Sequence, residues 1–239
     1  MKIQVLGTGS SGNCYKVKIG NATLLLECGL PYKVIQKKLK FKVSDIDACL
    51  VTHEHMDHAK AVKDLMKAGV DCYMTKGTAE ALKVNGHRLN TFRKDDKGQG
   101  YCWKFFLDIQ ILPFEAVHDV AEPVSYFIKT RDDKESLVFV TDTAYLKYKI
   151  PDCYCLMIEC NYVKSVLDER VKQGRINVSL RNRIVKNHLS LESLVEALKV
   201  ADLSRCKKIY LMHLSDGNSD EELIKRTIQE TTGMEVEVC

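Results

Sequence analysis

Residues 52–58 read Thr-His-Glu-His-Met-Asp-His and place ligand-type side chains at His53, His55, Asp57 and His58. Neither helical nor strand periodicity accounts for this spacing, whereas metal binding does. Neutral imidazole nitrogen suits zinc, and carboxylate oxygen suits harder divalent cations. The segment therefore predicts a metal site, and its mixture of histidine and aspartate favours more than one ion.

Three further residues of ligand type, His118, Asp142 and His213, each follow a short apolar, strand-like run. Rigid strands that end in ligand residues make a preorganised site. Together with the first cluster they are too many for one tetrahedral zinc ion and about right for two metals that share a carboxylate. Two metals ~3.5–4 Å apart lower the pKa of a bridging water and stabilise charge on the attacking and leaving oxygens, which suits phosphodiester hydrolysis.

The elements that must position these residues alternate between strands and helices. This alternation predicts an α/β fold in which two sheets pack face to face with helices outside. The main predicted strands are 48–52, 103–112, 155–159 and 209–213, and the main predicted helices are 58–68, 191–201 with Ser190 as N-cap, and 220–231. A chain of 239 residues without linker, low-complexity tract or repeat predicts a single domain over residues 1–239.

The composition narrows the class further. Hydrophobic residues make up 45% and charged residues 28%, as in ordinary globular proteins. No apolar run is long enough to span a bilayer, and the N-terminus lacks the apolar core of a signal peptide, so we expect no membrane partner. The ten cysteines stand singly in strand-like runs, which favours reduced thiols and a cytoplasmic location. The net charge of +4 is spread along the chain and fits a small anionic substrate at least as well as a nucleic acid.

The order His-x-His-x-Asp-His, then isolated His, Asp and His, resembles the metallo-β-lactamase superfamily over nearly the whole chain. This resemblance implies a four-layer αβ/βα sandwich, the metallo-β-lactamase fold, with the metals at one edge of the two sheets. It also implies a ligand assignment: His53, His55 and His118 on the first metal, Asp57, His58 and His213 on the second, and Asp142 as the bridge.

Within the superfamily, the segments 7–13, 118–123, 188–190 and 213–215 resemble the YycJ/WalJ-type nucleases and, more distantly, ribonuclease Z. Two segments depart from those nucleases: Glu27-Cys28-Gly29 stands in place of Asp-Ala-Gly, and Asn161-Tyr162-Val163 in place of Asn-His-Asp. These departures are similar to the anti-Pycsar phosphodiesterases of phages and prophages. That family implies a zinc-dependent homodimer in the bacterial cytoplasm that hydrolyses cyclic CMP, cyclic UMP and similar signals, and so evades antiviral defence.

Residues outside the ligand set complete the predicted site. Ribonuclease Z-like enzymes carry a histidine just before the helix at 191–201, so we predict that His188 donates a proton or hydrogen bond to the leaving oxygen. The alternative is that His188 only orients this helix. Asp57 and His188 are the predicted catalytic residues. Ser10, Ser11 and Asn13 could present N–H groups to a substrate phosphate, or form only a tight turn. Asp119 and Glu122 are candidate outer partners of the ligand histidines.

The leading prediction is a dinuclear zinc phosphodiesterase, with Mn²⁺ as the alternative metal, that hydrolyses cyclic mononucleotides through a metal-bridged hydroxide. The first alternative is a DNA or RNA nuclease that uses the same metal site. The modest charge weighs against the nuclease, so stable nucleic-acid binding is not expected. A thioester or lactone hydrolase and a nucleotide-sequestering protein without turnover are the remaining alternatives.

Overall fold

The computed structural model describes the whole chain, Met1–Cys239. Contacts within the chain divide it into two compact units, each built from two separate segments. Unit 1 comprises Met1–Glu115 and Val120–Ser136, and unit 2 comprises Ala116–Asp119 and Leu137–Cys239. The single domain over residues 1–239 stays a prediction. No helix in the structure combines the length and the apolar character that crossing a membrane requires.

Unit 1 contains a six-stranded sheet. Its strands, in spatial order, are β1 (Lys2–Gly7), β2 (Cys14–Ile19), β3 (Ala22–Leu26), β4 (Ala48–Leu50), β5 (Asp71–Met74) and β6 (Leu89–Thr91). The first three strands are antiparallel, whereas β3 to β6 run parallel. β4 is buried along its whole length, as expected of a central parallel strand covered on both faces. The carboxyl end of β4 therefore emerges at a rigid sheet edge.

The helices of unit 1 are α1 (Tyr32–Lys38), α2 (Met56–Ala59), α3 (Val62–Lys67) and α4 (Lys76–Leu82). The helix predicted over 58–68 is wrong as one element, because the chain breaks between α2 and α3. The Ala61 N–H donates to the Cys28 carbonyl at 2.9 Å instead of the Asp57 carbonyl, which accepts the Asn13 N–H at 2.7 Å. The break thus follows from backbone hydrogen bonds between segments far apart in sequence.

The core of unit 1 lies between the parallel strands and these helices. Leu25, Cys49, Val51, Leu65 and Cys72 are all fully buried there. Cysteine behaves as a small hydrophobic residue in such surroundings, and burial raises the thiol pKa of its neighbour Cys28. The dense packing holds the strand ends in fixed positions.

Unit 1 also contains three antiparallel strands, β7 (Lys104–Phe106), β8 (Ile109–Glu115) and β9 (Val124–Thr130). The single strand predicted over 103–112 is wrong, because the chain reverses direction between β7 and β8. Leu107 occupies the reversal with a left-handed backbone, φ 50°. The apolar pattern continues through this turn, so hydrophobicity alone does not reveal it.

Unit 2 is built on parallel strands, with β11 (Cys155–Glu159) and β12 (Lys208–Met212) flanked by β10 (Ser136–Val140) and β13 (Glu235–Val238). Leu137–Val140 of β10 belong to this unit. β10 and β11 are buried along their whole length. Because the strands are parallel, the residues at their carboxyl ends gather at one edge of the sheet.

The helices of unit 2 are α5 (Lys164–Lys172), α6 (Val178–Asn187), α7 (Leu191–Lys199) and α8 (Glu221–Thr232). The Ser190 hydroxyl accepts the Ser193 N–H at 3.2 Å, which confirms Ser190 as the N-cap of α7. Asp220 caps α8 in the same way, one residue before the helix proper. α5 and α6 were not predicted, because both are polar and bury very few apolar side chains.

Candidate metal centre

The segment 52–58 leaves the carboxyl end of β4 and turns sharply into α2. His55 is the N-cap of α2 with an extended backbone, so Asp57 and His58 lie in the first helical turn. The ring centroid of His53 lies 4.9 Å from that of His55 and 4.2 Å from that of His58. The strand end and the helix start therefore bring the three predicted histidine ligands of unit 1 together.

Neighbouring polar groups orient these rings. Thr52 Oγ1 lies 2.9 Å from His53 Nδ1, which makes Nε2 the atom that His53 would offer to a metal. Glu27 Oε2 lies 3.8 Å from His58 Nδ1, and Asp57 Oδ2 lies 3.4 Å from His58 Nε2. Glu27 is fully buried, and its carboxylate accepts the Thr52 N–H at 3.2 Å. Metal-binding histidines commonly have such a carboxylate behind them.

Ser10, Ser11 and Asn13, which were predicted to contact substrate, lie in the turn between β1 and β2. Ser10 and Ser11 are exposed, whereas Asn13 is buried. The Asn13 backbone N–H donates to the Asp57 carbonyl at 2.7 Å, and Asn13 Nδ2 lies 3.2 Å from His58 Nε2. Asn13 therefore supports the His/Asp segment, and direct contact of these three residues with substrate stays a prediction.

Gly29 makes the close approach of these segments possible. A Cβ atom at this position would lie 1.7 Å from the Asp57 carbonyl oxygen. The Gly29 N–H donates to the Asn13 carbonyl at 2.8 Å, and the Cys28 N–H donates to the His58 carbonyl at 2.7 Å. No side chain fits between the Glu27-Cys28-Gly29 turn and α2, so glycine is required here.

Unit 2 contains a second cluster, formed by Asp142, Glu159, His188 and His213 at the carboxyl ends of its parallel strands and just before α7. One ligand-type atom of each of the four lies within 4.8 Å of the others. Asp142 Oδ2 lies 3.7 Å from His118 Nε2, and Asp142 Oδ1 lies 3.7 Å from His213 Nε2. Two atoms that each lie ~2.1 Å from a shared ion are at most ~4.2 Å apart. The two oxygens of Asp142 thus face different histidines at coordination spacing, as a bridging carboxylate would.

Asp142 and His213 both have left-handed backbones, with φ 43° and φ 54°. Such a conformation costs a non-glycine residue roughly 1–3 kcal/mol and persists where the surrounding structure enforces it, often at functional sites. Glu27 at the end of β3 in unit 1 has the same feature, with φ 65°. The strained turn lets each side chain leave its strand end in a direction that a regular strand does not permit.

Glu159 belongs to this cluster but was not predicted as a site residue. Its Oε1 lies 2.6 Å from His188 Nδ1 and 3.3 Å from His213 Nδ1. Its Oε2 accepts the N–H of Thr143 at 3.2 Å and of Leu189 at 3.1 Å. The sequence did contain a signal, because Glu159 is an acidic residue at the end of an apolar strand, as Asp142 and His213 are strand-end ligands.

The charges of Glu159 and His188 reinforce each other. Burial raises the pKa of Glu159, but the charge of His188 and hydrogen bonds from His188 and His213 outweigh burial and hold that pKa below its usual range. Burial lowers the pKa of His188, but the charge and hydrogen bond of Glu159 and the charge of Asp142 raise it above its usual range. His188 Nδ1 is engaged by Glu159, so Nε2 is the atom from which His188 can donate outward.

The acidic residues that follow His118 serve other purposes. Asp119 is exposed. Glu122 accepts the Gly77 N–H at 2.7 Å and the Tyr101 hydroxyl at 2.9 Å, and it pairs with Lys94 at 3.2 Å. Burial raises the pKa of Glu122, but these partners outweigh burial and lower it. Glu122 therefore secures the start of α4 within unit 1.

The predicted ligands divide between the units, with His53, His55, Asp57 and His58 in unit 1 and His118, Asp142 and His213 in unit 2. They offer only imidazole nitrogen and carboxylate oxygen, a donor set that fits Zn²⁺ and also accepts Mn²⁺. The Asp142 geometry satisfies the spacing that coordination demands. The protein thus has His/Asp clusters capable of binding metal ions, and the identity of the metal stays a prediction.

Comparison with known proteins defines the class. The model of the β-lactamase superfamily domain matches residues 24–214. The chain therefore belongs to this superfamily and has the metallo-β-lactamase fold, an α/β sandwich, which confirms the predicted fold class and the predicted metal-dependent hydrolase. The structure of the metallo-β-lactamase fold protein YhfI from Bacillus subtilis is similar at a TM-score of 0.73 and 17% identity, over 99% of this chain and 95% of that one. The short form of human tRNase Z is similar at a TM-score of 0.70 and 14% identity, over 100% of this chain and 96% of that one.

Particular relatives share more sequence. The exodeoxyribonuclease WalJ of Streptococcus pneumoniae serotype 2 is 35% identical over 243 residues, which cover 95% of this chain and 86% of WalJ. The exodeoxyribonuclease YycJ of Bacillus anthracis is 30% identical over 96% of this chain and 88% of YycJ. The anti-Pycsar protein Apyc1 of a Paenibacillus species is 32% identical over 71 residues, 27% of this chain and 29% of Apyc1. All three relationships named from the sequence motifs are thereby confirmed as resemblances.

Proposed function

We propose that this chain is a metal-dependent phosphodiesterase that removes nucleotides from DNA ends. The single observation that carries this proposal is similarity along almost the whole chain to proteins named exodeoxyribonucleases, at 35% and 30% identity. The unit 2 cluster supports it, because strand-end histidines and carboxylates supply the ligands that phosphodiester cleavage uses. We carry forward the prediction that the seven ligands named above hold two divalent ions.

This proposal reverses the order of the two leading predictions from the sequence. The anti-Pycsar resemblance covers 27% of the chain, whereas the resemblance to WalJ covers 95%. The modest net charge of +4 weighed against a nuclease, but net charge does not report how cations are distributed over the surface. A nuclease needs cations only along the path of its substrate strand.

The protein's own residues then have distinct tasks. Divalent ions, when bound, activate water and neutralise the charge on the phosphate oxygens. His188 is proposed to donate a proton from Nε2 to the leaving oxygen, since Nδ1 is held by Glu159 at 2.6 Å. The His188 side chain is 20% exposed, so a substrate can reach its outer edge. Glu159 does not touch the substrate in this scheme and acts by positioning His188.

The test is product analysis with end-labelled DNA. Metal-loaded protein should release mononucleotides from DNA ends, and protein stripped by a chelator should release none until Zn²⁺ or Mn²⁺ is returned. His188→Ala should keep the bound metal yet lose roughly 10²–10⁴-fold in kcat, the range for a lost general acid. Intact DNA after incubation with fully loaded protein would refute the proposal, and full kcat in His188→Ala would refute the role of His188.

A second candidate is hydrolysis of cyclic mononucleotides. It is supported by Glu27 and Tyr162, which depart from the nuclease pattern, and by the 71-residue similarity to Apyc1. A homodimer, zinc as the metal and a phage or prophage origin belong to this candidate as predictions. Appearance of linear CMP or UMP from the cyclic compounds, together with a dimer mass by light scattering, would support it. A monomer that leaves the cyclic compounds intact would rule it out.

A further inference from the structure

The cavity beside His118 in unit 2 extends well beyond the ligand residues. Its volume is about 840 Å³, and one wall is the loop from Val117 to Asp119. The other wall is formed by α6, through Ser179, Asn182, Arg183 and Lys186. Residues three and four positions apart share one helical face, so these four side chains form a stripe along α6. Nothing in the catalytic scheme above uses this stripe.

The stripe carries positive charge that the protein itself does not neutralise. Arg183 and Lys186 are exposed, and neither forms an ion pair within the protein. Arg181 of the same helix differs, because its guanidinium binds Asp168 at 3.0 Å and so is already paired. The cavity wall contains one carboxylate, that of Asp119, against the two cations. The α6 face of the cavity is therefore suited to an anionic ligand.

Asn187 ties this helix to the predicted metal ligand. Its carbonyl oxygen lies 3.1 Å from His118 Nδ1, and its side-chain Oδ1 accepts the Asp119 N–H at 3.0 Å. Its Nδ2 donates to the Arg183 carbonyl at 3.0 Å. Asn187 is buried, so these contacts are shielded from water. A strand bound along α6 would therefore be held in fixed register with His118.

We propose that the α6 stripe binds the phosphodiester backbone of the DNA strand next to the cleaved bond. Ser179 to Lys186 spans about 10 Å at ~1.5 Å per residue, close to three nucleotides at ~3.4 Å each. A cyclic mononucleotide has one phosphate and leaves most of this length unused. Lysine and arginine are the usual partners of backbone phosphates, and such contacts bind without reading sequence. This inference rests on the proposed function and adds its substrate subsite.

The experiment compares a long substrate with a short one on the metal-loaded full chain. The test variant is Arg183→Ala with Lys186→Ala, and the matched control is Lys225→Ala with Arg226→Ala. The control removes the same charge from exposed residues of α8 in the same unit that also form no ion pair. The substrates are a single-stranded DNA oligonucleotide and bis(p-nitrophenyl) phosphate, which is too short to reach along α6.

The test variant should raise KM for DNA roughly tenfold or more, and the control should not. Its logarithmic salt dependence of kcat/KM should become shallower by about 1.4, since each lost phosphate contact on a single strand removes ~0.7. Hydrolysis of the short reporter should fall by no more than about twofold. These three results together would distinguish loss of a strand subsite from damage to the catalytic centre.

The outcomes separate the subsite from the function. If wild-type protein degrades DNA and the test variant keeps its KM and salt dependence, the subsite is overturned and the proposed function stands. If wild-type protein cleaves the reporter but not DNA, both are overturned. A defect confined to an RNA strand of the same sequence would overturn the assignment of DNA as the occupant.

Discussion

Replacing Glu159 by glutamine removes a buried charge while keeping the side-chain volume. The two carboxylate oxygens face different partners: Oε1 faces the Nδ1 atoms of His188 and His213, and Oε2 accepts the N–H groups of Thr143 and Leu189. Glutamine offers one acceptor and one donor group in their place. If its NH₂ points to the backbone, donors face donors. If its NH₂ points to the rings, both Nδ1 atoms must give up their protons.

Either orientation forfeits at least one hydrogen bond to a charged group, worth about 1.5–3 kcal/mol. At ~1.36 kcal/mol per tenfold change in rate, this corresponds to a loss of roughly 10–100-fold in kcat. Changes to the outer partners of metal ligands cost a similar factor in metal affinity or activity. We therefore expect Glu159→Gln to lower kcat by 10–100-fold even when metal ion is saturating.

The assay measures kcat on DNA and on bis(p-nitrophenyl) phosphate, with metal content determined on the same sample by mass spectrometry. Glu192→Gln is the matched control, because Glu192 also lies in unit 2 and accepts a backbone N–H, that of Lys164 at 3.1 Å, but faces no histidine of the cluster. The control should keep its kcat within about twofold. A Glu159→Gln protein with wild-type kcat would refute the positioning role of Glu159.

Two further predictions concern stability. Glu122→Gln should lower the free energy of unfolding by ~1 kcal/mol at pH 7. A carboxyl group whose pKa is lowered by folding stabilises the protein above its unfolded pKa of ~4.3, so the difference from wild type should shrink as the pH falls below about 4. Urea titrations at several pH values measure it, and a difference that does not vary with pH would contradict the carboxylate's role. Gly29→Ala should abolish folding or metal retention, because its Cβ would lie 1.7 Å from the Asp57 carbonyl oxygen. The control Gly100→Ala, whose Cβ would meet nothing closer than 3.7 Å, should melt like wild type, and a soluble, metal-loaded Gly29→Ala protein would disprove the steric argument.

The sequence allowed the strand-end residues to be located because apolar runs are legible without the fold. His53, Asp142 and His213 each follow such a run, and the structure places each at or beyond a strand end. Glu159 ends a predicted strand too, but a lone glutamate at a strand end is usually exposed. Its full burial is visible only once the strands on either side and α7 are assembled around it.

Other features depend on contacts between distant segments. The break between α2 and α3 arises because the Asp57 carbonyl bonds to Asn13, which no local pattern announces. α6 was not predicted because Val178–Asn187 has no apolar stripe, and its only buried residue is Asn187. That helix owes its place to hydrogen bonds with the loop that carries His118, and its exposed polar face is the basis of the proposed DNA subsite.

The most direct measurement of the central claim is the ratio of kcat/KM for a single-stranded DNA oligonucleotide to kcat/KM for cyclic CMP, determined on one metal-loaded preparation. The proposed function predicts that DNA is the better substrate by a wide margin and that chelation abolishes both activities. Faster turnover of cyclic CMP than of DNA would contradict it and would return the protein to the cyclic-nucleotide phosphodiesterases that Glu27 and Tyr162 resemble.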